Sequence, residues 1–295
     1  MAGYLEASGL ELADVYDGDK SWSDLRQATG LPVLAAGPEE TSLRKSPGRM
    51  LHVDDLHRID AYQRWASMKE APMPEALAHE GLASLRMFLG SVLHAELARG
   101  KDLEAACNLV WQHPQVLAEI HELMGNLRGR VSHLGVSLDA LPRVPLVVHA
   151  QYTRREILAA MGVGAGMALP LWQTGVFHVP HQRTDLLAVT LDKSDGQFSP
   201  TTRYRDYAIS PDLVHWESQS VTRAASETGQ RYQHHARLGW NILLFARHRA
   251  GDRAFYFLGP ATYVRHEGER PMAVTWRLRH SLPGDLFSSF AAAVA

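Results

Sequence analysis

The sequence predicts an α+β protein, with an N-terminal helical domain over residues 1–143 and a β-rich domain over residues 144–295 whose sheet is curved or closed into a small barrel. Three observations carry this. Apolar residues recur at helical spacing through the first 135 residues; beyond Gly175 that period disappears and short apolar runs punctuated by turn residues replace it. Charge divides near the same place. Residues 1–147 hold 14 Lys and Arg against 20 Asp and Glu, whereas residues 148–295 hold 16 against 12.

Taken in order, residues 1–30 give short helical pieces, and Ser21-Trp22-Ser23-Asp24 reads as a capped helix start. Residues 31–47 carry prolines and a glycine break and form a connector. Asp54 or Asp55 caps a helix whose Leu56, Ile59, Tyr62, Trp65 and Ala66 share a face, ended by Pro72 and Pro74. Leu82, Leu85, Phe88, Leu89, Val92 and Leu93 follow at helical spacing, then residues 103–111. Pro114 opens a further helix at its first position and buries Val116, Leu117, Ile120, Leu123, Met124 and Leu127.

The regime changes at Pro142 and Pro145. Residues 146–150 are strand-like, and Thr153-Arg154-Arg155-Glu156 reads as a capping box ahead of Ile157, Leu158 and Met161, with Gly162 as the stop. Strands are expected at 176–179, 185–191, 213–219, 240–247, 253–258, 261–265 and 271–279; residues 193–200, with Gly196 and Pro200, read as a loop, followed by an aromatic-rich return segment.

A chain of 295 residues with 45% hydrophobic and 21% charged residues is ordinary for a globular protein. Fifteen of the sixteen cations beyond residue 147 are arginines, whose planar fork suits phosphates and base edges, so a polyanionic partner is indicated for that half. A single cysteine, Cys107, excludes an intrachain disulfide and a cysteine-cluster zinc site. No stretch offers eighteen uninterrupted apolar residues, and the first residues lack the plan of a signal peptide. A cytoplasmic, nucleoid-associated protein with no membrane partner is expected.

Chemistry-capable groups are densest over residues 190–220, where Thr201, Thr202, Tyr204, Asp206, Tyr207, His215, Trp216, Ser218, Gln219 and Ser220 crowd together. Aromatics with a carboxylate and amides among them suit a planar, hydrogen-bonding ligand such as a nucleobase. A satisfied polar loop in a β-rich domain would read the same way. Asp206 and Glu217 also qualify as an acid/base pair for a hydrolase. A second polar cluster, Thr228-Gly229-Gln230-Arg231-Tyr232-Gln233-His234-His235, suits phosphate contact or intrusion into a duplex; an ordinary surface loop is the alternative.

His178-Val179-Pro180-His181 has metal-like spacing, and His234, His235 and His248 add imidazoles. Pro180 breaks any helix there, and no carboxylate or cysteine pattern completes a site, so no metal is expected. Phosphate-binding G-x-x-x-x-G-K-[ST], dinucleotide-binding and G-x-S-x-G signatures are missing, as is the H-x-K of phospholipase-D nucleases. A binding module with no cofactor and no catalytic residue is therefore the expectation.

The run from His178 through Asp185-Leu-Leu-Ala-Val-Thr-Leu, then Phe198-Ser-Pro-Thr-Thr-Arg-Tyr-Arg-Asp-Tyr, His215-Trp-Glu-Ser-Gln-Ser, Thr228-Gly-Gln-Arg-Tyr and Phe257-Leu-Gly-Pro-Ala-Thr-Tyr, resembles a domain of unknown function appended to superfamily II helicases. Some of those helicases also carry a phospholipase-D-type nuclease and act as modification-dependent (type IV) restriction enzymes. Upstream, Leu43-Arg44 and Gly48-Arg49-Met50-Leu51-His52-Val53-Asp54-Asp55 look like the helical region that follows such a helicase.

The resemblance implies a PUA-like fold related to the SET-and-RING-associated (SRA) domains. It also implies a reader of 5-methylcytosine or 5-hydroxymethylcytosine that flips the base into an aromatic pocket. Placed on the matching motifs, Tyr204, Tyr207 and Trp216 would stack, and Asp206 would accept from the cytosine amine. Thr202, Ser218 and Gln219 would address the remaining polar edge. Lys193, Arg203, Arg205 and Arg231 would meet the DNA backbone, and Gln230 would intrude. Helicase and nuclease motifs are missing here, so such a reader of double-stranded, modified DNA would work with a separate helicase or nuclease in restriction or phage defence. The alternatives are a nucleic-acid hydrolase built on Asp206 and Glu217, and a regulatory module for a partner helicase.

Overall fold

The structure is a computed structural model describing residues 1–34, 37, 39–192 and 206–292. It is α+β: helices fill the N-terminal part and a mixed sheet the C-terminal part. Two compact units are formed. The first comprises Met1–Leu134, Arg143–Pro145 and Arg155–Pro170, and the second comprises Gly135–Pro142, Leu146–Arg154 and the chain from Leu171 onward.

The first unit follows the helical pattern closely. Helix α1 (Trp22–Ala28) opens on Ser21, whose hydroxyl accepts from Asp24 N–H while Asp24 accepts from Ser21 N–H, the reciprocal cap its sequence calls for. A second carboxylate completes that terminus. Glu119, 2% exposed, accepts from the backbone of Trp22 at 2.8 Å and of Ser23 at 2.9 Å, which sets a negative group on the positive end of the helix. Helix α2 (Leu56–Ser67), capped by Asp55, buries Ile59, Tyr62, Trp65 and Ala66, while Leu56 in its first turn remains exposed. Helices α3 (His79–Val92), α4 (Leu103–Trp111) and α5 (Pro114–Arg128) complete the bundle, and α5 buries all six residues its period predicts. The Tyr62 and Phe88 rings meet edge-on at 5.2 Å. Cys107 on α4 is buried, and loss of water around it pushes its thiol up to about 12.

Helix α6 (Arg154–Ala160) adds Ile157 and Leu158 to this core and brings in Glu156, 1% exposed. The Glu156 carboxylate accepts from Arg58 Nη1 and from Ser91 Oγ, both at 3.1 Å, and lies 2.7 Å from His52 Nε2. A buried charge held this way is satisfied rather than stranded.

In the second unit β1 (Val136–Ser137) pairs with β2 (Val147–Val148). The main sheet contains β3 (Gln151–Thr153), β4 (Val176–Val179), β5 (Thr184–Asp192), β6 (Tyr207–Ser210), β7 (Leu213–Glu217), β8 (Asn241–Arg249), β9 (Ala254–Glu267) and β10 (Ala273–Leu278). Its order is β4-β5-β8-β9-β10-β7-β6, with β3 on β9; β5 and β8 run parallel and the other pairs antiparallel. One face gathers Leu187, Val189 and Leu191 with Ile242 and Leu244, and Val214 and Trp216 with Val274 and Trp276. These are alternate residues on each strand, as the pleat requires. The sheet is open, correcting the small-barrel expectation: β4 and β6, four residues each, stand at the two ends of the order, and among the described residues no pairing joins them.

Two further local expectations fail for physical reasons. The breakers Gly259 and Pro260 do not divide 253–265 into two strands. They lie inside β9, where a register shift against β8 and a φ of +97° at Gly259 form a bulge. The polar cluster 228–235 is not a loop but helix α7 (Glu227–His234), capped by Ser226, whose hydroxyl accepts from Gly229 N–H. Gly229 is there for space rather than flexibility: a Cβ on it would lie 2.0 Å from the Arg223 carbonyl oxygen. A last helix, α8 (Gly284–Ala292), packs Leu286 and Phe290 inward.

Gly229→Ala should therefore lower stability by about 1–3 kcal/mol, read from denaturant unfolding; an unchanged midpoint would refute the close approach. A pH effect follows from His235, buried beneath β9. Its Nε2 accepts from Tyr263 N–H, so Nδ1 carries the proton and donates to the Trp240 carbonyl. Burial lowers its pKa from the ordinary 6.5. Stability from the neutral ring is present above that ordinary value and is lost as pH falls through the lowered one. His235→Gln should flatten the fall of melting temperature between about pH 7 and about pH 5, and a curve parallel to wild type would dismiss this role.

Candidate ligand pocket

A cavity of about 640 Å³ opens in the second unit, within the size range of small-ligand sites. It is built from strands far apart in the sheet order. Ala188, Val189 and Thr190 come from β5 and Arg247 from β8, while Trp216 and Glu217 come from β7. Strands β5 and β7 are separated by three others, so the sheet must curl for both to reach one space. Asp206, the segment Gln219-Ser220-Val221, the segment 173–176 and Arg154 complete the lining.

The sequence-derived site divides on this geometry. Asp206, Trp216 and Gln219 line the cavity, as does Glu217. Asp206 is 5% exposed, and its Oδ1 accepts from Glu217 N–H at 3.0 Å, which ties the start of β6 to the end of β7. Trp216 is 2% exposed and sits edge-on to Tyr232 of α7 at 5.4 Å and tilted against Trp276 at 6.2 Å. It floors the cavity from within the core and offers no open face.

Tyr207 and Ser218 are not in the lining. Tyr207 stacks on His215, its partner across the β6–β7 pair, with centroids 4.7 Å apart. Ser218 is fully buried; its hydroxyl accepts from Met272 N–H while its own N–H donates to the Met272 carbonyl, so it extends the β7–β10 pairing. Thr202, Tyr204, Lys193, Arg203 and Arg205 lie outside the described residues.

The two residues of the 228–235 cluster expected to meet DNA, Arg231 at the backbone and Gln230 by intrusion, are engaged within the unit. Gln230 Nε2 donates to the Ala224 carbonyl at 2.8 Å. Arg231 Nε donates at 2.7 Å to Asp185, a carboxylate with no exposed surface at the head of β5. His178 Nδ1 lies 2.6 Å from the same carboxylate and its ring stacks on Trp240 at 4.8 Å, with the Arg231 guanidinium 5.4 Å from the Trp240 centroid. Of the two histidines at metal-like spacing, His178 is thus a β4 residue hydrogen-bonded to Asp185.

Sequence reasoning missed Arg154 and Arg247. The first was absorbed into a helix start and the second into a strand. An arginine ending the apolar run Ile242-Leu-Leu-Phe-Ala was the available signal for Arg247. Both guanidinium groups sit over the Phe255 ring, 5.3 Å and 4.6 Å from its centroid. Arg154 donates to the carbonyls of Trp172 and Thr174; Arg247 donates to Thr190 Oγ1 and the Asp252 carbonyl. Burial, with the charge of Arg247 added, lowers the Arg154 pKa to about 10, and burial lowers that of Arg247 as well.

No curated protein matches the chain. Residues 146–290 match the model of a protein family described as a domain of unknown function, DUF3427.

Proposed function

We propose that the second unit is a reader of modified DNA, taking a flipped 5-methyl- or 5-hydroxymethylcytosine into the cavity on β5, β7 and β8. The observation that carries this reading is the convergence of Asp206, Glu217, Gln219 and Trp216 on one space of nucleotide size. A cytosine presents an amine, a ring nitrogen and a carbonyl along one edge. Asp206 or Glu217 accepts from the amine, and the Gln219 amide donates to the carbonyl side. Trp216 supplies an apolar floor. A flipped base costs a few kcal/mol of lost stacking, which a dry pocket with a charge-assisted hydrogen bond offsets. On this reading the partners are double-stranded, modified DNA and a helicase or nuclease, within a restriction or defence system.

The test is a titration at fixed salt with one duplex carrying cytosine, 5-methylcytosine or 5-hydroxymethylcytosine. A preference of about tenfold, or roughly 1.4 kcal/mol, is expected for a modified duplex, and Asp206→Asn should remove most of it. Trp216→Ala is a poor probe because it opens the core. Equal affinity for all three duplexes would exclude the reader and favour a regulatory module that binds a partner helicase. The placement of Asp206 and Glu217 on one cavity keeps a hydrolase as the second reading. There, Asp206→Asn should abolish turnover of a nucleic-acid substrate while binding persists, and absence of turnover by the wild-type protein would reject it.

A further inference from the structure

Arg154 and Arg247 do not fit a pocket that meets only a neutral base. Both line the cavity, both are partly withdrawn from water, and both lean on the same phenylalanine ring. Every hydrogen-bond acceptor they have among the described residues is neutral: three backbone carbonyls and one threonine hydroxyl. Neither forms an ion pair with a described carboxylate, and Arg154 Nε is buried without an acceptor. Trp172, 5.3 Å from the Arg154 guanidinium, and Phe255 together give both cations aromatic faces, but aromatic contact supplies no counter-charge. Placing two like charges in one low-dielectric space is unfavourable until an anion enters; burial, with the charge of Arg247 added, lowers the Arg154 pKa, while the Asp252 carboxylate only partly offsets the burial of Arg247. The cavity's carboxylates come from a different region of the sheet, at the β6 start and the β7 end.

We propose that Arg154 and Arg247 form an anion subsite, so that the pocket's ligand is an amine-bearing ring that also carries a negative group. The proposal rests on the reading of this cavity as a nucleobase pocket. The negative group has two possible sources: a phosphate on the attached sugar, or a carboxylate on the ring itself. Each matches the planar fork of an arginine. The amine meets Asp206 or Glu217 while the anion meets the arginine pair, and the subsite thereby selects a charged nucleotide over the uncharged nucleoside.

Calorimetric titration of the full chain with deoxycytidine, deoxycytidine 5′-monophosphate and 5-carboxydeoxycytidine tests this. At least one anion-bearing ligand should bind about tenfold or more tightly than deoxycytidine. The monophosphate's advantage would identify a phosphate subsite, and the carboxylated nucleoside's a ring-substituent subsite. In Arg247→Gln that ratio should fall to near one. Arg247→Lys, which keeps the charge but loses the fork, should retain part of it and serves if the first variant does not fold. Equal binding of all three ligands, no binding of either anion, or a ratio unchanged in the arginine variants would overturn the subsite. A duplex titration without modification preference, alongside a surviving anion preference, would overturn only the reader.

Discussion

The second unit depends on one buried carboxylate. Asp185 stands at the head of β5 with no exposed surface and receives Arg231 from α7 and His178 from β4. Losing one member of such a pair leaves an uncompensated charge, at a cost of about 3–5 kcal/mol, so the three elements are held together. The consequences propagate. With Arg231 fixed, α7 presents its next residue, Tyr232, edge-on to Trp216. Trp216 is the cavity floor, and the residue after it, Glu217, holds Asp206 through its backbone N–H. The pocket's polar edge is thus positioned by an ion pair that does not itself line it.

Parallel pairing of β5 with β8 is the second requirement. It aligns Thr190 with Arg247, and the threonine hydroxyl accepts from the arginine's Nε at 2.9 Å. A one-residue slip would turn Arg247 to the other face and send the β8 apolar set away from the core. The apolar alternation that builds the sheet interior therefore also aims the charge that borders the pocket.

How much of this was legible varies with the kind of signal. Helix α5 was readable almost residue by residue, because Pro114 and six apolar positions at period 3.6 leave no other solution. Helix α7 was not. Its composition is polar, and Gly229 reads as a breaker until the Arg223 carbonyl that needs the space is in place. Strand β9 was divided in two because a bulge that absorbs Gly259 and Pro260 is set by the neighbouring strand, which local sequence does not show. At the site, Asp206, Trp216 and Gln219 were found through residue chemistry near β7. Tyr207 and Ser218 have the same chemistry, but register gives them to His215 and Met272. Arg154 was beyond reach because it lies 93 positions before Arg247 and meets it only through the β3–β9 and β8–β9 pairings.

The burial of Cys107 has a practical consequence. Thiol reagents attack the thiolate, and a thiol held near 12 inside a helical bundle supplies almost none at neutral pH. Cys107 should therefore react only slowly with maleimide dyes and spin labels, and the sequence contains no other cysteine. One cysteine introduced at the exposed Ser220 on the pocket rim would be a unique chemical handle. A reporter there could follow occupancy of the cavity in real time without a cysteine-free background being made first.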